Sequence, residues 1–411
     1  MTHPKMKYTY VGIDSHKETH TAVLLDCFFE KLGEITFGNR IDDFTAFIRE
    51  ARRCKLKNTS LLFGLEDVSF YGRTLAKFLL SKKQPVKHVN AYLVAGDRKN
   101  QGLDKSDSND ALCAARVLIS KFDKLPDAEE DEQYHVLRTL VVHRNILIRN
   151  VTALNSYLHS LLNIDFPGYH KFFCHLDSKT SIAFFSKYPS PNLLKDTTAE
   201  ELAEFLREHS HNLLGLERAE EILSAIDIVP VNVLRNRTVQ SAIWQIKYNQ
   251  QELKSVEAEL FHVYNSFNTT LTSMTGFDFI SASKLLSCIG DIRRFPTPAK
   301  LARYAGIAPA SHASGKKDMQ FASMRGDREL NSIFYNLATR MITTYEPGHK
   351  AVNPFFHEYY HKKISEGKTK RQALKCVQRR LVNIVWNMLT NNEDYVNPPM
   401  ISVNRTKSFD N

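Results

Sequence analysis

The stretch that most narrows the folds open to this chain is Tyr8-Thr9-Tyr10-Val11-Gly12-Ile13-Asp14-Ser15-His16-Lys17, a short apolar strand that runs into a carboxylate and ends in polar residues. Val11 and Ile13 alternate with Tyr10 and Gly12, the two-residue period of a strand rather than the period of a helix. A second apolar run, His20-Thr21-Ala22-Val23-Leu24-Leu25-Asp26, follows after a few residues, as an antiparallel partner would. Ser60-Leu61-Leu62-Phe63-Gly64-Leu65-Glu66 is almost continuously apolar, the pattern of a strand buried on both faces of a parallel sheet. It too stops at an acid. In open α/β sheets, sites assemble beyond the carboxyl ends of the strands. Asp14 and Glu66 are therefore candidate ligands of one site, where a single acid in a turn would carry no such weight.

The intervening residues complete an α/β unit. Ile35 to Asn39 predicts a third strand, and Asp42 to Arg53 a helix with Phe44, Phe47 and Ile48 on one face. A helix over Arg73 to Leu80 and a strand over Val86 to Asn90 follow. Asp104-Lys105-Ser106-Asp107-Ser108-Asn109-Asp110 then leads into the apolar stretch Ala111 to Leu118, which predicts a helix capped by Ser106. Asp107 and Asp110, three residues apart, share one face of its first turn. Acids there suit the helix dipole, but two neighbouring carboxylates repel each other unless a cation lies between them. Four acids from two strand ends and one helix make an oxygen-rich site suited to Mg²⁺.

At 411 residues the chain exceeds one compact core, so two or three domains are expected. No run approaches the roughly eighteen apolar residues of a membrane span, and the Met-Thr-His-Pro-Lys-Met-Lys start lacks the apolar core of a secretory signal. A cytoplasmic protein is expected. The six cysteines stand singly with no CxxC pair, which speaks against a zinc ribbon or a disulfide framework and predicts reduced, mostly buried thiols. The net charge of +10 suits a polyanionic partner.

Residues 121–132, KFDKLPDAEEDE, are charged and contain a proline, the composition of a domain boundary. From Gln133 to Leu162, Leu140, Leu147, Val151, Leu154, Leu158 and Leu161 recur at near-heptad spacing and predict a long amphipathic helix. Residues 163–200 read as irregular and rich in aromatics. Ala199 to Glu208 and Glu217 to Ile226 read as helices, and Val239 to Phe267 as a second long one. The two long helices fit either an intramolecular hairpin with its own core or a coiled-coil arm for dimerisation or nucleic-acid binding.

In the last third, Leu271 to Leu286 reads as a glycine-containing turn feeding a helix, similar to a helix-hairpin-helix element. Ser314 follows in a small-residue loop beside Gly315, with Lys316, Lys317, Arg325 and Arg328 close in sequence. A serine hydroxyl is a poor nucleophile unless a base, metal or cation assists it. Basic neighbours suit phosphate chemistry, and no GxSxG elbow supports an ester hydrolase. A turn at Gly367 to Lys370 and a basic helix from Arg371 to Leu389 suit contact with a nucleic-acid backbone.

Together, GIDSHK, LEDVSFYG and KSDSNDA, and later AGIAPASHASGKK, resemble the motifs of the insertion sequence 110/1111 transposases. These are bridge-RNA-guided DEDD serine recombinases, a group that includes Piv-type DNA invertases. The resemblance implies an RNase H/RuvC-like α/β domain over 1–125, a coiled-coil helical region over 126–268 and a mostly α-helical serine-bearing domain over 269–397; the tail over 398–411 is expected to be disordered as a terminus. It also implies that Asp14, Glu66, Asp107 and Asp110 hold Mg²⁺ and that Ser314, with Ser311 as fallback, forms a covalent phosphoserine link to DNA. Lys316, Lys317, Arg325 and Arg328 would contact nucleic acid. The implied partners are donor and target DNA, a guide RNA and further copies of the chain in a dimer or tetramer, in the nucleoid of a bacterium or archaeon. Asp67-Val68-Ser69 stand where the family follows its glutamate with a threonine-glycine pattern, Ala313 where members often carry serine, and Lys316 where they carry a second glycine. Two other functions fit the residues: a metal-dependent Holliday-junction-type endonuclease with no covalent step, and a non-catalytic nucleic-acid-binding protein whose acids are structural.

Overall fold

A computed structural model of the chain describes residues 3–66, 71–128, 132–166, 168–226, 233–314, 317–321, 326–344 and 351–396. It divides into two units, Met1–His135 and Val136–Asn411. In the first, the apolar runs form β1 (Tyr8–Ser15), β2 (Thr19–Leu25), β3 (Lys31–Gly38), β4 (Ser60–Leu65) and β5 (Val86–His88). These lie in one sheet in the order β3-β2-β1-β4-β5. The three leading strands are antiparallel to their neighbours, whereas β4 and β5 run parallel to β1.

Strand alternation sends side chains to two cores. Val11, Ile13, Phe63 and Leu65 meet Phe44 and Phe47 of α1 (Ile41–Cys54) and Leu75 and Leu79 of α2 (Arg73–Ser81). Tyr10 and Leu62 face the other way, toward α3 (Ala91–Asn100) and α4 (Asp107–Ser120), which contributes Ala111, Ala114, Ala115 and Leu118. Coverage on both faces is why β1 and β4 carry almost no polar residue before their final acids. Gly12 is required by this packing: a Cβ there would stand 2.1 Å from Ala115 N and 2.3 Å from Ala111 O. Helix α4 thus rests directly on β1, backbone against backbone.

Helix α3 departs from the sequence reading. The strand expected to reach Asn90 stops at His88, and the Asn90 side chain accepts a 2.8 Å hydrogen bond from Tyr92 N to cap a new helix. The cysteines depart too. Cys113 and Cys288 are buried, Cys174 is exposed and the other three are half-buried, so most are not hidden. Burial pushes the Cys113 and Cys288 thiols up to about 12, which keeps them protonated.

Among its described residues the second unit is helical apart from one hairpin. Its long helices are α5 (Glu132–Asp165) and α9 (Val233–Asn265), the latter starting before the expected Val239. They run antiparallel: Arg144 Nη2 donates to Glu257 Oε1 at 2.7 Å, and further along α5 Asn150 reaches Asn249 at 3.5 Å. Between them lie α6 (Lys179–Lys187), α7 (Ala199–Ser210) and α8 (Leu216–Ser224). Residues 163–200 are accordingly less irregular than their prolines suggest, because Ser178 caps α6 and Phe184 and Phe185 anchor it beside Phe166 and Phe172. Leu158 is buried in that core, and Val151, Leu154 and Leu161 pack against it. The heptad face of α5 is used within the chain, which supports the intramolecular hairpin reading.

The remaining core joins α10 (Phe279–Ile289), α11 (Pro298–Tyr304), α12 (Arg328–Ile342), α13 (Pro354–Ser365) and α14 (Lys370–Asn391) through Leu285, Phe334, Leu337, Leu381 and Val385. Strands β6 (Ala310–Ser314) and β7 (Lys317–Phe321) pair antiparallel. Gly276 takes φ +90° before α10, as a glycine turn requires. Asp278 then caps the helix, accepting from Ser281 N at 2.7 Å and from Arg340 Nη1 at 2.5 Å. Burial favours its protonated form, but these hydrogen bonds outweigh it and hold the Asp278 carboxyl below its ordinary 3.8. Its contribution is therefore full above that value and fades as pH falls through the lowered one. Asp278→Ala is expected to cost about 1 kcal/mol at pH 7, Asp278→Asn much less, and the difference from wild type to shrink below pH 4. Thermal melts across pH check this. No helix among the described residues is long and apolar enough to cross a membrane, and the tail from residue 397 lies outside them.

Candidate metal centre

The parallel register of β1 and β4 sets Ile13 against Leu65, and Glu66 N donates to Ile13 O at 3.3 Å. The backbone bearing Glu66 thus lies beside that bearing Asp14, at the carboxyl ends of two adjacent strands. The contact at Gly12 seats α4 with its first turn over the same edge. Ser106 caps that turn by accepting from Asn109 N at 3.2 Å, and Asp107 and Asp110 follow directly.

Asp14 and Asp107 are brought together around His16. His16 Nε2 lies 3.0 Å from Asp14 Oδ2 and 3.2 Å from Asp107 Oδ1. One ligand atom from each of the three residues falls within 4.8 Å of the others. Asp110 is only 8% exposed and is ion-paired to Arg98 of α3. Glu66 is half-buried at the end of β4. Burial raises the Asp14 carboxyl above its ordinary value; His16 pulls it back, and the charges of Asp107 and Asp110 push it further up. For His16, burial acts to lower the imidazole, and the two adjacent aspartates outweigh it to give a net rise.

Two carboxylates and an imidazole at this spacing, with further acids alongside, are a donor set for a divalent cation. Oxygen ligands suit Mg²⁺, and the imidazole also admits Mn²⁺. His16 and Arg98 were not singled out from the sequence. His16 had a signal: two residues past Asp14, it returns to the same side of an extended chain. Arg98 had none, because the helix that carries it was not anticipated.

Ser314, expected in a loop, ends β6 opposite Lys317 of β7. The correction has a sequence basis, since Gly315-Lys316 is a two-residue, glycine-first connection of the kind that joins hairpin strands. Ser311 lies on the same strand, opposite Gln320. Arg328 is the first residue of α12, behind its cap Asp327. Lys316 and Arg325 lie outside the described residues. The acids and Ser314 belong to different units.

Residues 11–167 match the DEDD transposase domain of IS110 type, described as Transposase, and residues 268–361 match the Transposase IS116/IS110/IS902 family. Asp14, Glu66, Asp107 and Asp110 fall within the first match and Ser314 within the second. The chain is 23% identical to the insertion element IS116 44.8 kDa protein of Streptomyces clavuligerus, over 96% of this chain and 97% of that one. It is 25% identical to the insertion element IS110 43.6 kDa protein of Streptomyces coelicolor, over 72% and 73% of the two chains. It is also 22% identical to the pilin gene-inverting protein of Moraxella bovis, over 95% and 98%.

Proposed function

Since the chain carries both domains of the IS110-type transposases, belongs to that family and is a DNA transposase or recombinase, we propose that it cleaves and rejoins DNA with a metal-binding acidic site and a serine nucleophile. The observation that carries this reading is the convergence of Asp14, Asp107 and His16 at the carboxyl end of the central strand. The strand order, three antiparallel strands followed by two parallel ones, supports an RNase H/RuvC-like domain around it.

Asp14 and Asp107, with Glu66 and Asp110 beside them, would hold Mg²⁺. Such a cation supplies charge to the scissile phosphate and to the departing oxygen. Ser314 Oγ attacks phosphorus; the new bond forms as the bond to one deoxyribose oxygen breaks, and the serine proton ends on that oxygen. One phosphodiester replaces another, so the freed hydroxyl of a new strand can reverse the step and release the serine. Arg328, with Lys316, Lys317 and Arg325, would neutralise the flanking phosphates. The excess of positive charge also suits a structured guide RNA, and assembly as a dimer or tetramer would let neighbouring copies share a site.

Recombination of a plasmid carrying the element's two ends tests this reading. Loss of product in EDTA, with return on Mg²⁺, and loss after RNase treatment are the expected results. Activity that survives EDTA removes the metal. Survival after RNase removes the guide. Cleavage without rejoining favours a junction-resolving nuclease that uses water.

A further inference from the structure

In the second unit α5, α10 and α12 border an open cavity of about 300 Å³ that the chemistry above leaves unused. Its lining is mixed: the apolar side chains of Ile333 and Leu337 stand beside the polar groups of Asn145 from α5, Ser281 and Lys284 from α10, and Glu329, Asn336 and Arg340 from α12. Arg340 is committed to Asp278. Lys284 is half-buried, and among the described residues its ammonium makes no hydrogen bond or ion pair. Arg144 is buried and held by Glu257, and its charge repels Lys284. Burial and this repulsion disfavour the charged ammonium and, against the attraction of Asp278 and Glu329, hold its pKa below the usual value.

A half-buried ammonium that no carboxylate of the described residues reaches within ion-pairing distance, facing hydroxyl and amide groups, is suited to an incoming anion. Two carboxylates of the protein attract the ammonium, but Asp278 is taken by Arg340 and Glu329 is exposed, and neither forms an ion pair with it. We propose that this cavity receives a phosphodiester group of bound nucleic acid, with Lys284 as its counter-charge and Ser281, Asn145 and Asn336 as hydrogen-bond donors. The assignment rests on the transposase reading, which supplies nucleic acid as the partner. It adds a backbone contact on a face that the serine hairpin does not provide. Glu329 lowers the affinity of this site, because its carboxylate faces the same space.

The charges give opposite expected effects. With fluorescein-labelled duplex DNA and fluorescein-labelled single-stranded RNA as probes, Lys284→Gln is expected to weaken the occupant roughly tenfold, the loss of one charged hydrogen bond. It should also flatten the dependence of log Kd on log salt by about 0.9 for duplex DNA or about 0.7 for the single strand, so the slope reports which backbone sits there. Glu329→Gln, at an exposed position, should tighten the same probe. Weaker binding by Lys284→Gln with an unchanged salt slope would mean a structural effect and overturn the assignment. Unchanged affinity of both variants for both probes would overturn it too, and would leave the transposase reading intact if the wild type still recombines its plasmid. Failure of the wild type to bind either probe would overturn both.

Discussion

Gly12→Ala should cost the protein about 3 kcal/mol of stability and its affinity for divalent metal, although it adds a single methyl group. The new Cβ would lie 2.1 Å from Ala115 N and 2.3 Å from Ala111 O, both backbone atoms of α4 that no side-chain rotation can move aside. Ordinary contact needs more than 1 Å beyond that, so strand and helix must part. Ala111, Ala114 and Ala115 are buried against the strand, so parting exposes a packed seam. It also carries Asp107 and Asp110 away from Asp14, because both acids sit in the first turn of the displaced helix. Gly96→Ala is the matching control. Nothing lies within 4 Å of a Cβ at Gly96, inside α3, so that change should stabilise the protein by about 0.5 to 1 kcal/mol. Thermal melts and a calorimetric Mn²⁺ titration read both effects. Wild-type stability in Gly12→Ala would mean that α4 does not rest on β1 as described.

Asp14→Asn should reduce DNA strand cleavage on the order of a thousandfold or more while leaving the fold intact. The change preserves shape and removes one negative charge from a side chain whose residue is 8% exposed. Without metal that charge works against folding at neutral pH, since burial, followed by the nearby Asp107 and Asp110, raises the Asp14 carboxyl in spite of His16. A carboxyl raised in the folded state destabilises that state above its ordinary pKa, and the penalty vanishes as pH falls. The variant should therefore melt in EDTA no lower than wild type. Added Mg²⁺ should raise the wild-type melting temperature and leave the variant unmoved. Strand cleavage by Asp14→Asn at the wild-type rate would remove the acid from the chemistry.

These two effects arise where local sequence and fold agree. β1 and β4 were legible because burial on both faces demands an unbroken apolar run, and α4 because Ser106 and the small apolar stretch behind it mark a helix start. The convergence of Asp14 and Asp107 followed from those elements. Helix α3 was not legible: only Val94 of its residues is buried, so it has no periodic apolar face to announce it, and with it went Arg98 as the partner of Asp110. The serine hairpin escaped notice for a related reason, since Ala310-Ser311-His312-Ala313-Ser314 is small and polar and has no run of β-branched or aromatic residues. In the middle of the chain the prolines suggested irregularity where clustered phenylalanines build a core around α6. His16 stands two residues past Asp14, and the two-residue period of a strand was its one sequence signal.

The central claim is that Ser314 becomes joined to DNA in a metal-dependent step. Incubation of end-labelled substrate DNA with the protein, followed by a denaturing gel, tests it directly. A slow-migrating protein–DNA adduct that forms with Mg²⁺, disappears in EDTA and is absent from Ser314→Ala is the predicted result. An adduct of equal yield in Ser314→Ala, or cleavage by that variant at the wild-type rate with no adduct at all, would contradict it.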